Sequence, residues 1–243
     1  MKKQFYPYLL ANYPSISQFE TVLHLTAEYA DAIEIGIPFS DPVADGPVIR
    51  EAAEKVLKSG FELESVFRIL QNAKLRIPVA LMTYANPVLA YGRDRAFKAC
   101  AECGVKFLIV PDVPHEESEP WRRQVNSANL KWIQFVSLVT RAERLRHIAR
   151  SAEGFIYLVS LTGITGAKIR GPEAVSNKAR EIKQVTDVPV ALGFGIKTPQ
   201  DVLPYRNDID AFIVGSRIVE LSTDINKLKD FYIEFRHALE GLS

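Results

Sequence analysis

Residues Asp31 to Pro47 read Asp-Ala-Ile-Glu-Ile-Gly-Ile-Pro-Phe-Ser-Asp-Pro-Val-Ala-Asp-Gly-Pro. From Asp31 to Ile37 the side chains alternate, Ile33, Ile35 and Ile37 on one parity and Ala32, Glu34 and Gly36 on the other, which is the period of a strand. A parallel strand covered on both faces normally reads as an unbroken hydrophobic run. A carboxylate in its middle is costly to bury unless it does something, so Glu34 is the residue to explain. Directly after the strand, a proline-rich loop carries two more carboxylates, Asp41 and Asp45, and a helix is expected from about Val48.

Working outward, the same strand-then-helix unit recurs. The first strand is read at Phe5 to Leu10, with a helix capped at Ser15 or Ser17 and reaching Ala30. Further strands are expected at Ile77 to Thr83, closed by the loop Tyr84-Ala85-Asn86-Pro87, at Val105 to Val110, and at Trp132 to Val136. Three more follow at Phe155 to Val159, Val188 to Leu192 and Ala211 to Val214. Helices are expected through Ala101 to a stop at Gly104, from Glu116 to Ala128, around Leu145 to Ala152, and from Pro172. Two more open at Thr198-Pro199 and run from Ser216 to about Leu239. Eight alternations with short connections predict an α/β chain folded as a single (β/α)8 TIM barrel over residues 1–243, rather than the rival doubly wound sheet. A doubly wound sheet usually places its phosphate loop after the first strand, whereas here glycines cluster after strands six to eight. In a barrel the isoleucine parity meets the helices and Glu34 faces the interior.

The composition is that of an ordinary globular protein, with 47% hydrophobic and 24% charged residues and a formal net charge of +1. That balance gives no footprint for nucleic acid or a basic membrane surface. No apolar run reaches transmembrane length and no signal peptide is evident, so the cytosol is the expected compartment. Cys100 and Cys103 form a C-x-x-C with no second pair and no neighbouring histidine, and two helix-packing residues are the plainer reading. No histidine or cysteine cluster at ligand spacing supports a metal site.

The glycine-bearing loops after strands six, seven and eight suit an anion nest of backbone N–H groups at Gly166, Gly195 and Gly215 with the Ser216 hydroxyl. Opposite them, a desolvated Glu34 is expected to have a raised pKa and to exchange protons as acid and base. Asp45, in a wetter loop, is expected to stay ionised and accept a hydrogen bond from a substrate N–H. Asp41 and Asp112, beside prolines, are read first as turn residues.

The stretch Glu34 to Pro47 strongly resembles the signature of the tryptophan synthase α chain family. The likeness continues through Met82 to Pro87, Pro111 to Pro114, Tyr157 to Ser160, Gly163 to Gly166, Gly193 to Ile196 and Val214 to Ser216. The resemblance implies retro-aldol cleavage of indole-3-glycerol phosphate to indole and glyceraldehyde 3-phosphate, with no cofactor in this chain. It implies Glu34 as the group that protonates indole C3 and helps deprotonate the glycerol hydroxyl, and Asp45 as the acceptor for the indole N–H. Tyr157 would be a pocket tyrosine and Thr165 a lid residue. Gly166, Phe194, Gly195, Gly215 and Ser216 would form the phosphate end. The family's partner is a pyridoxal-phosphate β chain in an α2β2 assembly, and the matching contact positions here are Asp41, Pro42, Asn86 and Pro114.

Four departures from the family pattern stand out. No helix precedes the first strand; the usual Gly-Asp-Pro after it reads Asn12-Tyr13-Pro14; the loop after strand five reads Ser137-Leu138-Val139-Thr140 without a proline; and Leu161 stands where some members have arginine. They motivate a second reading, a weakly active or inactive chain that acts mainly as an allosteric activator of a β chain. A third is another phosphate-binding barrel enzyme of aromatic amino-acid or cofactor synthesis.

Overall fold

The structure, a computed structural model, describes residues 2–160, 171–193 and 195–241. Its parallel strands are β1 (Gln4–Leu10), β2 (Ile33–Gly36), β3 (Val79–Met82), β4 (Val105–Ile109), β5 (Lys131–Trp132), β6 (Gln134–Ser137), β7 (Ile156–Val159), β8 (Val190–Gly193) and β9 (Ala211–Val214). They run in the order β5-β4-β3-β2-β1-β9-β8-β7-β6, all neighbours parallel. The ends of that order, β5 and β6, are consecutive in the chain, so the cylinder closes through Ile133.

Nine segments therefore stand where eight were expected. Lys131 and Trp132 pair with β4, and the Ile133 amide still donates to Leu108, whereas Gln134 onward pairs with β7. Staggered strands in a tilted barrel hand one stave from its earlier neighbour to its later one. Parity survives the handover: Trp132 and Val136 pack outward, Ile133 and Phe135 inward.

The helices are α1 (Ile16–Tyr29), α2 (Pro47–Lys58), α3 (Leu63–Ala73), α4 (Ala85–Tyr91), α5 (Arg93–Glu102), α6 (Glu119–Ser127), α7 (Ala142–Arg150), α8 (Pro172–Lys183), α9 (Ser216–Leu221) and α10 (Ile225–Glu240). Ser15 caps α1 by accepting from the Gln18 amide. Several expected elements differ. Ala85 to Pro87, expected as a loop, form the first turn of α4. Pro87 is tolerated there because first-turn amides have no intrahelical acceptor. The helix expected to run unbroken to Gly104 is interrupted at Gly92, φ +92°. The segment opened by Thr198-Pro199 is a 3-10 helix (Pro199–Tyr205) with Pro204 inside it, capped by a Thr198–Asp201 capping box. The final helix is two, divided at Ser222 to Asp224, where Asp224 caps α10.

Two apolar layers result. Ile33, Ile35 and Ile37 join Leu9, Leu81, Leu158, Leu192 and Phe212 in the shell between strands and helices. Tyr8, Leu10, Ala80, Met82, Ile109, Ile133, Tyr157, Ala191 and Ile213 fill the inner face. Glu34 sits in register between Tyr8 and Ala80, two residues of that inner set. Among the described residues no helix is long and apolar enough to cross a membrane.

Candidate active site

Strand alternation alone puts Glu34 into the barrel. Glu34 is 2% exposed, and among the described residues neither carboxylate oxygen has a hydrogen-bond partner. Burial, reinforced by the negative charge of Asp45, pushes its pKa from 4.5 up to about 8. A buried polar group normally finds a partner, and one that does not is a marked feature at the mouth of a barrel.

Asp45 is half-buried in the loop between β2 and α2. Its Oδ2 accepts from the Tyr84 hydroxyl at 2.8 Å, and the same hydroxyl accepts from the Ala44 amide at 3.1 Å. Tyr84 is thereby strung between β3 and the acidic loop, and its ring stacks on Phe39 at 5.1 Å. Asp45 is the wetter carboxylate, as expected, but burial still raises its pKa above the ordinary value; the Tyr84 hydrogen bond and the Arg50 charge oppose that rise. The two acids thus differ in environment, one enclosed and unpaired, the other partnered at the rim.

Tyr157 projects inward from β7, stacked on Phe135 at 5.0 Å. A β carbon on Gly193 of the next strand would lie 2.2 Å from its ring, so only glycine fits there. Gly195 follows β8 with φ +88°, facing Ser160 across the loop end, and Gly215 begins α9 after the paired strand β9. Both glycines therefore lie at one end of the barrel. The Ser216 Oγ lies 3.9 Å from where a β carbon on Gly46 would sit, which brings the loop after β9 beside the acidic loop. Thr165, Gly166 and Phe194 lie outside the described residues, as does Leu161.

A cavity of about 630 Å³ opens at this end, lined by Asp45, Pro42, Pro114, Gln134, Phe135 and Val159 among others. Glu34 is beneath it and does not line it. A second, larger hollow of about 840 Å³ lies outside the barrel between α6 and α7, walled mainly by arginines and glutamates that already pair, such as Arg144 with Glu116. Pro42 and Pro114 reach the rim, and Asp41 and Asn86 are exposed beside Val43, which is 65% exposed, and Leu89. Asp112 ties the loop after β4 to the start of α4, both of its carboxylate oxygens accepting from the Ala85 amide.

Two of the departures from the family pattern are locally compensated. Asn12 takes φ +61°, a conformation glycine would supply and asparagine tolerates, and its Nδ2 donates to Ser65 Oγ at 2.7 Å. The Ser137–Thr140 turn closes on itself, the Thr140 hydroxyl accepting from the Ser137 amide at 3.0 Å. Cys100 is buried and Cys103 half-buried, both free thiols with pKa values raised by burial. Among the described residues no three His, Cys, Asp or Glu side chains converge as a metal site.

Tyr8 and Tyr84 were not singled out from the sequence. The signals for Tyr8 were present: it shares the inward parity of β1, and Gly36 at the end of β2 marks a close approach.

The family model described as tryptophan synthase alpha chain matches residues 1–238. The chain belongs to the tryptophan synthase alpha chain family. It is 38% identical to the tryptophan synthase alpha chain of Caldicellulosiruptor bescii, over 98% of this chain and 93% of the relative. It is 36% identical to that of Bacillus mycoides with the same coverage. Among solved structures it superposes on Mycobacterium tuberculosis tryptophan synthase in its aminoacrylate-bound form, with a TM-score of 0.89 and 27% identity, covering 98% of this chain and 94% of that one. It also matches a chain of the tryptophan synthase α2β2 complex of the hyperthermophile Pyrococcus furiosus, with a TM-score of 0.85 and 33% identity, covering 97% and 99%. The barrel read from eight strand-helix units is thus that of tryptophan synthase alpha chains.

Proposed function

We propose that this chain is the lyase subunit of a tryptophan synthase, cleaving indole-3-glycerol phosphate to indole and glyceraldehyde 3-phosphate. The observation that carries this reading is Glu34, an inward carboxyl with no hydrogen-bond partner among the described residues and a pKa of about 8. Breaking the bond between the indole ring and the glycerol chain needs a proton delivered to C3 and a proton removed from the adjacent hydroxyl, which becomes the aldehyde. No proton is gained or lost overall. A group that titrates near neutrality can do both, because neither form is strongly disfavoured. Enclosed as it stands, Glu34 meets the ring carbon by turning its side chain toward the cavity.

Asp45, fixed by Tyr84, accepts the indole N–H and stabilises the positive charge that C3 protonation spreads onto the ring nitrogen. Gly195, Gly215 and Ser216 offer amides and a hydroxyl to the phosphate, and Tyr157 walls the ring pocket; the roles that the family resemblance implies for Gly166, Phe194 and Thr165 complete this reading. The chemistry is proton transfer and asks for no electron sink from this chain; pyridoxal phosphate belongs to a β chain. That partner would seat on the exposed rim at Asp41, Pro42, Asn86 and Pro114, where Val43 and Leu89 present apolar surface.

The activator reading, motivated by the altered loop after the first strand, has less support, because Asn12 adopts the left-handed conformation there and both carboxylates are in place. Indole release from indole-3-glycerol phosphate by the chain alone, and again with a β chain, tests the proposal. Glu34→Gln should abolish release in both while a substrate analogue still binds; wild-type turnover in that variant would refute the assignment.

A further inference from the structure

Tyr8 has no role in the mechanism above, yet it is the direct neighbour of Glu34 in the sheet. The two are Cα partners on β1 and β2, both facing inward. The Tyr8 ring leans along the barrel until its hydroxyl sits over Gly36, where a β carbon would be 1.9 Å from the hydroxyl oxygen and 2.4 Å from Cζ. From opposite Glu34 to a point over Gly36, the ring runs along the face of β2 that bears the carboxyl. Glycine at 36 is the condition for that path.

The groups acting on Glu34 come from several elements: Asp45 from the loop after β2, Tyr8 from β1 and Tyr157 from β7, with Ala80 of β3 contributing no charge. Tyr84 faces Tyr8 and Asp45 and is committed to the latter; Arg50 acts on Asp45. Burial and the two carboxylates hold the Tyr8 phenol well above its ordinary pKa, so it keeps its proton. A retained donor therefore lies beside an acceptor whose oxygens are both unpartnered among the described residues. Tyr157 faces the same carboxylates from across the barrel, packed over Gly193 and against Phe135.

We propose that Tyr8 is a positioning residue for Glu34, its hydroxyl donating a hydrogen bond to the carboxylate when that side chain turns from its enclosed position toward the ligand. The bond holds the charged form at the ring pocket and fixes its direction. This rests on the reading of Glu34 as the acid-base group, and it explains why the inner face of β1 carries a hydroxyl at that point.

Tyr8→Phe keeps the ring over Gly36 and removes only the donor. The titration of Glu34 is followed by the infrared band of its protonated carboxyl, identified as the band missing in Glu34→Gln. In Tyr8→Phe that titration should move up by about one pH unit, a tenfold change in the ionisation constant, because a hydrogen bond to the charged form favours ionisation. Indole release should slow about tenfold, its acid limb shifted in the same direction, with KM unchanged. Replacing Tyr8 by 3-fluorotyrosine, a stronger donor of nearly the same size, should move the titration down. An unmoved titration in Tyr8→Phe overturns the proposal, as does an equal shift from Tyr157→Phe. If the wild-type chain releases no indole, the functional reading fails while the infrared titration still decides the role of Tyr8.

Discussion

The two ends of the barrel treat carboxylates in opposite ways. At the end where the strands begin, Asp31 accepts the Phe5 amide at 2.8 Å and the Arg236 guanidinium at 2.7 Å, and its own amide donates to the Phe5 carbonyl. Asp210 repeats the pattern with the Val190 amide at 2.9 Å and Lys183 at 2.7 Å, its own amide bonding the Val190 carbonyl. Each is an aspartate just before a strand that ties down the neighbouring strand and meets a cation. At the opposite end, among the described residues, Glu34 meets no donor and Asp45 takes a hydrogen bond from a phenol but forms no ion pair. Paired charge at one end holds strands together; carboxyl groups without an ion pair at the other are held ready for a ligand, at a cost in stability.

The strongest way to break this comparison is Glu34→Gln, expected to cut indole release by a factor of about 10² to 10⁴, the usual value of a proton-transfer group. The same variant should be the more stable protein in alkali. A carboxyl with a folded pKa of about 8 and an ordinary value of 4.5 favours folding fully below the lower value and loses that contribution as pH rises toward the higher. Between those limits wild-type stability should fall with pH, by on the order of 4 kcal/mol, and the Glu34→Gln curve should be flatter in urea melts. A parallel pair of curves would mean that Glu34 is not buried and neutral.

At the other end, Asp31→Ala leaves the Phe5 amide and Arg236 without their acceptor and should cost about 2 kcal/mol of stability. Its turnover per folded molecule should be unchanged, and a loss of kcat there would erase the distinction between the ends. Tyr84→Phe sharpens the contrast within the mouth. Losing a donor to the charged form raises the Asp45 pKa further, so the acid limb of kcat/KM should move up and the plateau fall roughly tenfold. The smallest effect belongs to Arg95→Ala, whose exposed pair with Glu64 and stacking on Tyr91 should be worth less than about 1 kcal/mol, measured by thermal melting.

Much of this was legible in the residues. The isoleucine parity of Ile33, Ile35 and Ile37 fixed which face met the helices, and so where Glu34 pointed, because alternation in a strand is a local property. Asp45 could be placed in a loop beside it for the same reason. Its degree of burial could not, since that depends on Tyr84 reaching across from the loop after β3. The break of the last helix at Ser222 was missed because the apolar spacing of α9 and α10 continues past it. An α-helix over Pro199–Tyr205 is disfavoured by Pro204, whose ring would crowd the carbonyl four residues back.

By itself, then, the order of residues determined the repeating strand-helix unit, the inward carboxylate and the family, all of which follow from local periodicity and motif. Only the closed barrel decided which side chains meet. It placed Tyr8 over Gly36, Tyr157 over Gly193 and Asp31 against Arg236, 205 positions away, and among the described residues it left the Glu34 oxygens without a donor. Those outcomes depend on stagger and packing between distant segments, and water exclusion, which raises the acid's pKa, exists only once the ring of strands is complete.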